Sequence, residues 1–290
     1  MRTLLRPLAV VALLALAATP SRADMAYGVT LIGNQLITVD TTTGAGALVG
    51  PLTGNVAPFG LAGFGGQLFT FDSTTDAIKQ ISTTTGATLA SYRINTGAVL
   101  GQGGMAFQTA TTGFLTTALD PATFNSANNL YSFNIATGAA TLLTQTADTL
   151  SSLAFAANGM LYALGQGDGN LYTISTTTGA MTLVGNAGIV GGIGSPVGAL
   201  AFSTSGALYA TFDDALYSLN LATGAATAIG NPAVGTGFAS ISGLSFAGSS
   251  LPSPGANSVP EPTSAVLLLT GVAGPAGLIA ARKRRARRAA

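Results

Sequence analysis

The 290-residue sequence contains no cysteine, no histidine and no tryptophan, and its only glutamate is Glu261. Without cysteine the chain forms no disulfide, so an ordinary buried core must hold its domain together. Without histidine or cysteine it has no imidazole base, no thiolate and no soft-metal ligand set. These absences exclude serine-triad and zinc mechanisms.

Charge is scarce, at 7% of residues, and it is unevenly distributed. Residues 24–257 contain nine aspartates against Lys79 and Arg93, so their formal charge is 2 − 9 = −7 although the whole chain carries +1. A segment of this charge repels the phosphates of nucleic acids and anionic membranes. The sequence therefore predicts no nucleic-acid partner.

The C-terminal end consists of a short motif, an apolar run and a basic cluster. Val259, Pro260, Glu261 and Pro262 precede an uncharged run of 19 residues, 263–281. At about 1.5 Å per helical residue this run is long enough to cross a hydrocarbon core of roughly 30 Å. Basic residues behind a span are retained in the cytoplasm, so the preceding domain is expected outside. The basic cluster comprises Arg282, Lys283, Arg284, Arg285, Arg287 and Arg288.

This order of parts resembles the PEP-CTERM sorting signal of Gram-negative bacteria, over residues 259–288. The resemblance implies processing by an exosortase-type membrane protease that recognises Pro260, Glu261 and Pro262. It also implies a setting of exopolysaccharide-producing, biofilm-forming bacteria. The precursor is then expected to be anchored in the membrane and the mature protein to reach the cell surface or the extracellular matrix.

The N-terminal end has the composition of a secretory signal peptide. Arg2 and Arg6 precede an apolar run over residues 8–18, and small residues at Ser21 and Ala23 favour cleavage after Ala23. A retained N-terminal membrane helix is the alternative, but the run is short for a stable anchor. Residues 1–23 are therefore assigned to a signal peptide.

A repeat sets the expected architecture of residues 24–248. Five segments share an apolar strand, a polar turn and a glycine, and these glycines are separated by 42, 52, 41 and 45 residues. Several short strands per period of 40–50 residues are typical of propeller blades. The repeated glycines are Gly44, Gly86, Gly138, Gly179 and Gly224.

Four repeats are complete, and we label their strands a to d from the axis to the rim. They cover residues 59–92, 103–143, 151–184 and 197–229, whereas the first repeat lacks strand a. Residues 241–246 match the missing strand, so the sequence predicts an all-β, five-bladed propeller of four-stranded blades closed by its C-terminal strand. An open solenoid is the alternative. Residues 249–258 are predicted to be a flexible linker.

Most aspartates fall in the b–c turns and d–a connections, which emerge on one face of a propeller. Four of them, Asp72, Asp120, Asp168 and Asp213, are candidate ligands for Ca²⁺, which prefers several oxygens. The same face could accept hydrogen bonds from sugar hydroxyls. The alternative is that aspartate is simply a good turn residue.

An enzyme is not expected from this set of residues. The adjacent Asp213 and Asp214 could in principle hydrolyse glycosides, but neighbouring turn side chains rarely converge on one substrate. The sequence predicts a non-catalytic exported surface or matrix protein associated with exopolysaccharide, without a cofactor unless Ca²⁺ binds. The alternative function is a Ca²⁺-dependent carbohydrate-binding propeller that uses the face bearing the aspartates.

Overall fold

The structure is a computed structural model that describes residues 25–54, 57–95, 103–119, 126–189, 198–212, 214–233 and 239–248. The expected signal peptide, linker and sorting segment lie outside these residues. Within the described ranges all regular elements are β-strands, and no helix has the length and hydropathy needed to cross a bilayer.

Twenty strands follow one another along the chain. In chain order they are β1 (Met25–Ile32), β2 (Gln35–Asp40), β3 (Gly46–Pro51), β4 (Pro58–Phe64), β5 (Gln67–Asp72), β6 (Ala77–Ile81), β7 (Thr88–Arg93), β8 (Met105–Phe107), β9 (Thr112–Leu119), β10 (Ser126–Asn134), β11 (Ala139–Gln145), β12 (Leu150–Phe155), β13 (Leu161–Gly165), β14 (Asn170–Ile174), β15 (Met181–Asn186), β16 (Gly198–Phe202), β17 (Leu208–Phe212), β18 (Ala215–Leu219), β19 (Ala226–Gly230) and β20 (Ala239–Ser245).

The strands form five antiparallel four-stranded sheets, which confirms the predicted five-bladed propeller. Four sheets use consecutive strands: β4 to β7, β8 to β11, β12 to β15 and β16 to β19. The remaining sheet has the order β20-β1-β2-β3, so the last strand of the ring pairs with the first. Tyr27 is opposite Ser245 and Gly28 is opposite Leu244 in this pairing. The ring is therefore closed, and the open solenoid is excluded.

Burial falls from the axis to the rim of each blade. Strand a of the fourth blade is buried at five of its six positions, and strand a of the fifth blade at all five. The outermost strand β7 instead alternates between half-buried and exposed residues. A strand buried on both faces, as at the axis, needs a continuous run of apolar residues. A strand buried on one face, as at the rim, needs alternating apolar and polar residues.

The core consists of five hydrophobic clusters, one at each interface between neighbouring blades. In the cluster between the fifth and first blades, Leu216 packs with Ile241 and Leu244 of the closing strand. The closing strand therefore contributes to the core as well as to the sheet. Burial of each such side chain stabilises the fold by about 1.5–3 kcal/mol.

The repeated glycines end the turns between strands c and d. In the first blade the Asp40 carboxylate accepts hydrogen bonds from the backbone N–H groups of Thr42 at 2.7 Å and Thr43 at 3.2 Å. Gly44 follows with a φ of 74°, a conformation that glycine adopts without strain. These bonds, that from Thr42 first, lower the pKa of Asp40 against the opposing effect of burial. The turn chemistry expected from the repeat is confirmed.

Candidate functional site

We call the side of the ring formed by the b–c turns and d–a connections the acidic face. Of the described aspartates, Asp76, Asp148, Asp168 and Asp214 lie in these connections, and Asp72 ends a strand beside them. The opposite side, the threonine face, carries the a–b and c–d turns and Asp40. Asp120 and Asp213, two of the candidate Ca²⁺ ligands, lie outside the described residues.

Asp72 forms an ion pair that the sequence interpretation missed. Its side chain is fully buried, and its Oδ2 atom lies 2.7 Å from Nζ of Lys79, which is also buried. It further accepts hydrogen bonds from the Thr75 hydroxyl at 2.7 Å and the Thr74 N–H at 3.1 Å. Burial alone would raise the pKa of Asp72, but the bonds from Lys79, Thr75 and Thr74 outweigh it and lower the pKa. Its oxygens are engaged within its own hairpin.

Asp214 has a structural contact across the closing interface. Its φ is 66°, and its Oδ1 atom accepts a hydrogen bond of 3.1 Å from the backbone N–H of Ile241 in β20. A turn of the fifth blade is thereby bonded to the closing strand of the first blade. This contact gives Asp214 a role in ring closure.

Asp168 belongs to a polar network at the start of β14. Its Oδ1 atom accepts the backbone N–H of Asn170 at 2.9 Å, and its Oδ2 atom accepts the Asn170 amide at 2.8 Å. The Tyr172 hydroxyl donates a hydrogen bond to the same Oδ2 atom. Asn186 adds a bond of 2.9 Å to the Asp168 carbonyl oxygen. The network fixes the position of the Asp168 carboxylate.

The structure brings Asp148 to Asp168, from the connection between β11 and β12. Asp148 Oδ1 accepts the backbone N–H of Thr149 at 2.8 Å, whereas its Oδ2 atom is buried and receives no donor from any described residue. That oxygen faces Asp168 above Gly165, where an added Cβ atom would lie 2.7 Å from it and would also collide with the Asp168 carboxylate. Two acidic side chains thus share one site on the acidic face.

The two carboxyl groups have opposite pKa shifts. Burial, and then the neighbouring Asp168, raise the pKa of Asp148. Burial acts in the same direction on Asp168, but the hydrogen bonds from Tyr172 and Asn170 outweigh it and lower its pKa. The approach of the two carboxyl groups thus makes Asp148 the one that holds its proton more tightly. Carboxyl pairs with separated pKa values are found at acid–base sites.

The pair offers a divalent cation part of a coordination shell. A Ca²⁺ ion takes six to eight oxygens, and an ion bound between the two carboxylates would relieve their repulsion. Among the residues that the structure describes, no group of three or more carboxylates could hold a metal ion. The other ligands would have to be amide or carbonyl oxygens and water. Asp72 and Asp168, two of the candidate ligands, lie in different blades.

A second site lies on the propeller axis. The a strands of all five blades enclose a cavity of about 270 Å³. Its lining includes residues of the a–b turns, Ala157, Ser203 and Thr204, and Gly248 at the C-terminal end of the described domain. The cavity therefore opens on the threonine face, opposite the carboxyl pair. Sequence interpretation identified the strands around it but not the cavity.

The fold is similar to several solved structures. A chain of a nidogen–laminin complex is 14% identical, with a TM-score of 0.49 and alignment over 78% of this chain and 82% of that chain. Virginiamycin B lyase from Staphylococcus aureus is 13% identical, with a TM-score of 0.41 over 72% and 70%. A streptogramin B lyase is 12% identical, with a TM-score of 0.42 over 71% and 65%. No family model and no curated protein matches the sequence.

The similar structures correct one prediction from the sequence. A non-catalytic chain was expected because histidine, cysteine and nearly all glutamate are absent, yet two of the similar structures are lyases. The prediction of a non-catalytic chain is therefore wrong, because missing residue types alone do not decide whether a propeller is an enzyme. At 12–13% identity the likeness concerns the fold alone, so it does not make this chain an enzyme either.

Proposed function

We propose that this chain is an exported surface protein, sorted through residues 259–288, whose propeller presents its acidic face away from the cell envelope. The observation that carries the proposal is the position of the two ends of the domain. Met25 is opposite Asp40, which begins a turn of the threonine face, and Tyr27 is opposite Ser245 near the C-terminal end. Both ends of the ring therefore leave from the threonine face.

The length of the chain between the ring and the apolar run limits how far the threonine face can lie from the membrane. Fourteen residues, 249–262, separate the ring from the apolar run; they span at most about 50 Å when fully extended and about 19–22 Å on average as a flexible coil. A precursor anchored through residues 263–281 would therefore keep the threonine face close to the membrane. The carboxyl pair of Asp148 and Asp168 would then be directed outward. Processing by an exosortase-type protease would release the ring into an exopolysaccharide matrix.

Cysteine mapping tests the proposal, since the parent chain has no cysteine. Ala147 on the acidic face and Ala222 on the threonine face are both exposed alanines. Each is changed to cysteine in a Glu261→Ala background, in which the precursor is expected to stay anchored. Cells whose outer membrane has been permeabilised are then treated with a bulky maleimide that does not cross the inner membrane. We expect faster labelling of the Ala147→Cys variant. Equal labelling of the two variants would contradict the orientation, and absence of labelling in both would contradict export.

A second function is favoured by the orphaned oxygen of Asp148. Ca²⁺-dependent carbohydrate binding would use the Asp148 and Asp168 carboxylates as cation ligands and leave sugar hydroxyls to complete the shell. Calorimetric titration with Ca²⁺, followed by the host polysaccharide, tests this function. Heat of polysaccharide binding that requires Ca²⁺ and disappears in Asp168→Asn would support it. Equal binding with and without Ca²⁺ would leave the sorting proposal intact but exclude this one.

A further inference from the structure

The axial cavity has a regular wall with one exception. At equivalent positions, opposite an aromatic residue of strand b, four a strands carry alanine and the closing strand carries Ser245. All five of these residues line the cavity and are at most 6% exposed. The alanines are Ala62, Ala106, Ala154 and Ala201. Small side chains at all five positions leave space on the axis, and only one of them is polar.

The Ser245 hydroxyl borders the cavity and has no hydrogen-bond partner among the described residues. Ser245 is 4% exposed, and no bond joins its Oγ atom to another part of the described chain. The position of a Cβ atom on Gly63, which also lines the cavity, lies 2.8 Å from that Oγ. A hydroxyl that borders a cavity and is bonded to no protein group can donate or accept a hydrogen bond with a bound molecule.

Three phenylalanines are among the residues that line the cavity: Phe107, Phe155 and Phe202. Phe107 and Phe202 line the cavity and are fixed by rings of neighbouring strands, with centroid distances of 4.5 Å to Phe69 and 5.3 Å to Tyr162. Rings held in this way form a preorganised apolar surface, against which another ring packs in an offset or edge-on geometry. The site therefore favours a flat aromatic ligand over a flexible one.

Size and charge restrict the ligand further. An apolar cavity of 150 Å³ holds benzene, and sites for larger ligands begin near 300 Å³. A volume of about 270 Å³ thus corresponds to one or two rings. The lining contains no aspartate, lysine or arginine, and burying an unpaired charge there would be strongly unfavourable.

We propose that this cavity binds a small, uncharged aromatic molecule with one hydrogen-bonding group, and that this group forms a hydrogen bond with the Ser245 hydroxyl. The site lies on the opposite side of the ring from the carboxyl pair and is independent of the sorting proposal.

Indole is a suitable probe, because the chain has no tryptophan and its own tyrosines are not excited at the long-wavelength edge of indole absorption. Titration of the intact exported chain with indole is expected to give a saturable blue shift of indole emission with one site per chain. Ser245→Ala is expected to weaken binding about two- to tenfold, as loss of one neutral hydrogen bond does. Absence of a saturable shift, or unchanged affinity in this variant, would overturn the proposal.

A pair of surface variants controls for effects on folding. Ala157 is exposed at the mouth of the cavity, and Ala136 is likewise an exposed alanine, in a c–d turn of the same face. Ala157→Phe is expected to abolish the indole response, whereas Ala136→Phe is expected to retain it. Equal binding by both variants would place indole elsewhere and contradict the proposal.

Discussion

Gly44 of the first blade lies directly against Gly230 of the fifth blade. A Cβ atom on Gly44 would be 2.6 Å from the Cα atom of Gly230, and the c–d turn glycines of the other blades likewise approach the outer strand of the preceding blade. The contact between Gly224 and Gly185 is of the same kind. The repeated glycine therefore has two functions, a left-handed turn and a close contact between blades.

Gly44→Ala should destabilise the ring through both functions. Left-handed backbone geometry costs a non-glycine residue about 1–2 kcal/mol, and crowding against Gly230 adds about 1–3 kcal/mol. Gly206→Ala is the matched control, since Gly206 has a φ of 86° but nothing within 4 Å of its Cβ position. Thermal unfolding should show a larger loss for Gly44→Ala, at about 2–4 °C per kcal/mol. Equal losses would mean that the blade contact is unimportant.

The carboxyl pair predicts a stability that depends on pH. The pKa of Asp148 is raised above its ordinary value of 3.8, so the folded state binds this proton more tightly than the unfolded state does. Stability is therefore lost as pH rises from about 3.8 through the folded pKa, and the penalty is complete above it. Asp148→Asn removes this penalty because asparagine is uncharged, and its side-chain amide can donate a hydrogen bond to the Asp168 carboxylate. The variant should be more stable than the parent at pH 7, with the difference shrinking in acid.

Asp72→Asn should behave in the opposite way. The lowered pKa of Asp72 means that its ionised form stabilises the fold above pH 3.8 and that this contribution is lost as pH falls through the folded pKa. Breaking a buried ion pair costs about 3–5 kcal/mol and would leave Lys79 uncompensated. Urea unfolding of the two variants between pH 3 and pH 7 measures both trends. The same sign for both would contradict the assigned environments.

The blades were predictable because each is encoded locally by a strand, a polar turn and a glycine. Even the non-local pairing of β20 with β1 could be predicted, since residues 241–246 match the strand that the first repeat lacks. The candidate site was harder to predict from the sequence, because the approach of Asp148 to Asp168 depends on how two loops pack. The glycine at position 165, between the two carboxyls, was an available signal that was not used. The Lys79 partner of Asp72 belongs to the same hairpin, so the pairing of β5 with β6 was a local signal that was also not used.

Calcium distinguishes a binding site from turn residues. If Ca²⁺ binds at Asp148 and Asp168, the free energy of unfolding should rise by about 2.7 kcal/mol at one hundred times the dissociation constant. Asp148→Asn should remove the increase. Asp72→Asn should leave it unchanged because the Asp72 oxygens are bonded to Lys79, Thr75 and Thr74. A melting temperature that is indifferent to millimolar Ca²⁺ in the parent would reduce the pair to a structural feature of the loops.

Sorting is tested by Glu261→Ala. The change removes the charged centre of the proposed recognition motif but keeps the apolar run 263–281 and the basic residues behind it. The precursor should therefore still insert and stop, with residues 24–248 outside, and remain attached to the membrane. Pro254→Ala, in the linker before the motif, is the control and should be processed normally. Mass spectrometry of released and membrane-bound protein measures the ends of each form. Because the motif and not the span is altered, released protein with unchanged ends in Glu261→Ala would show that Pro260, Glu261 and Pro262 are not the recognition site.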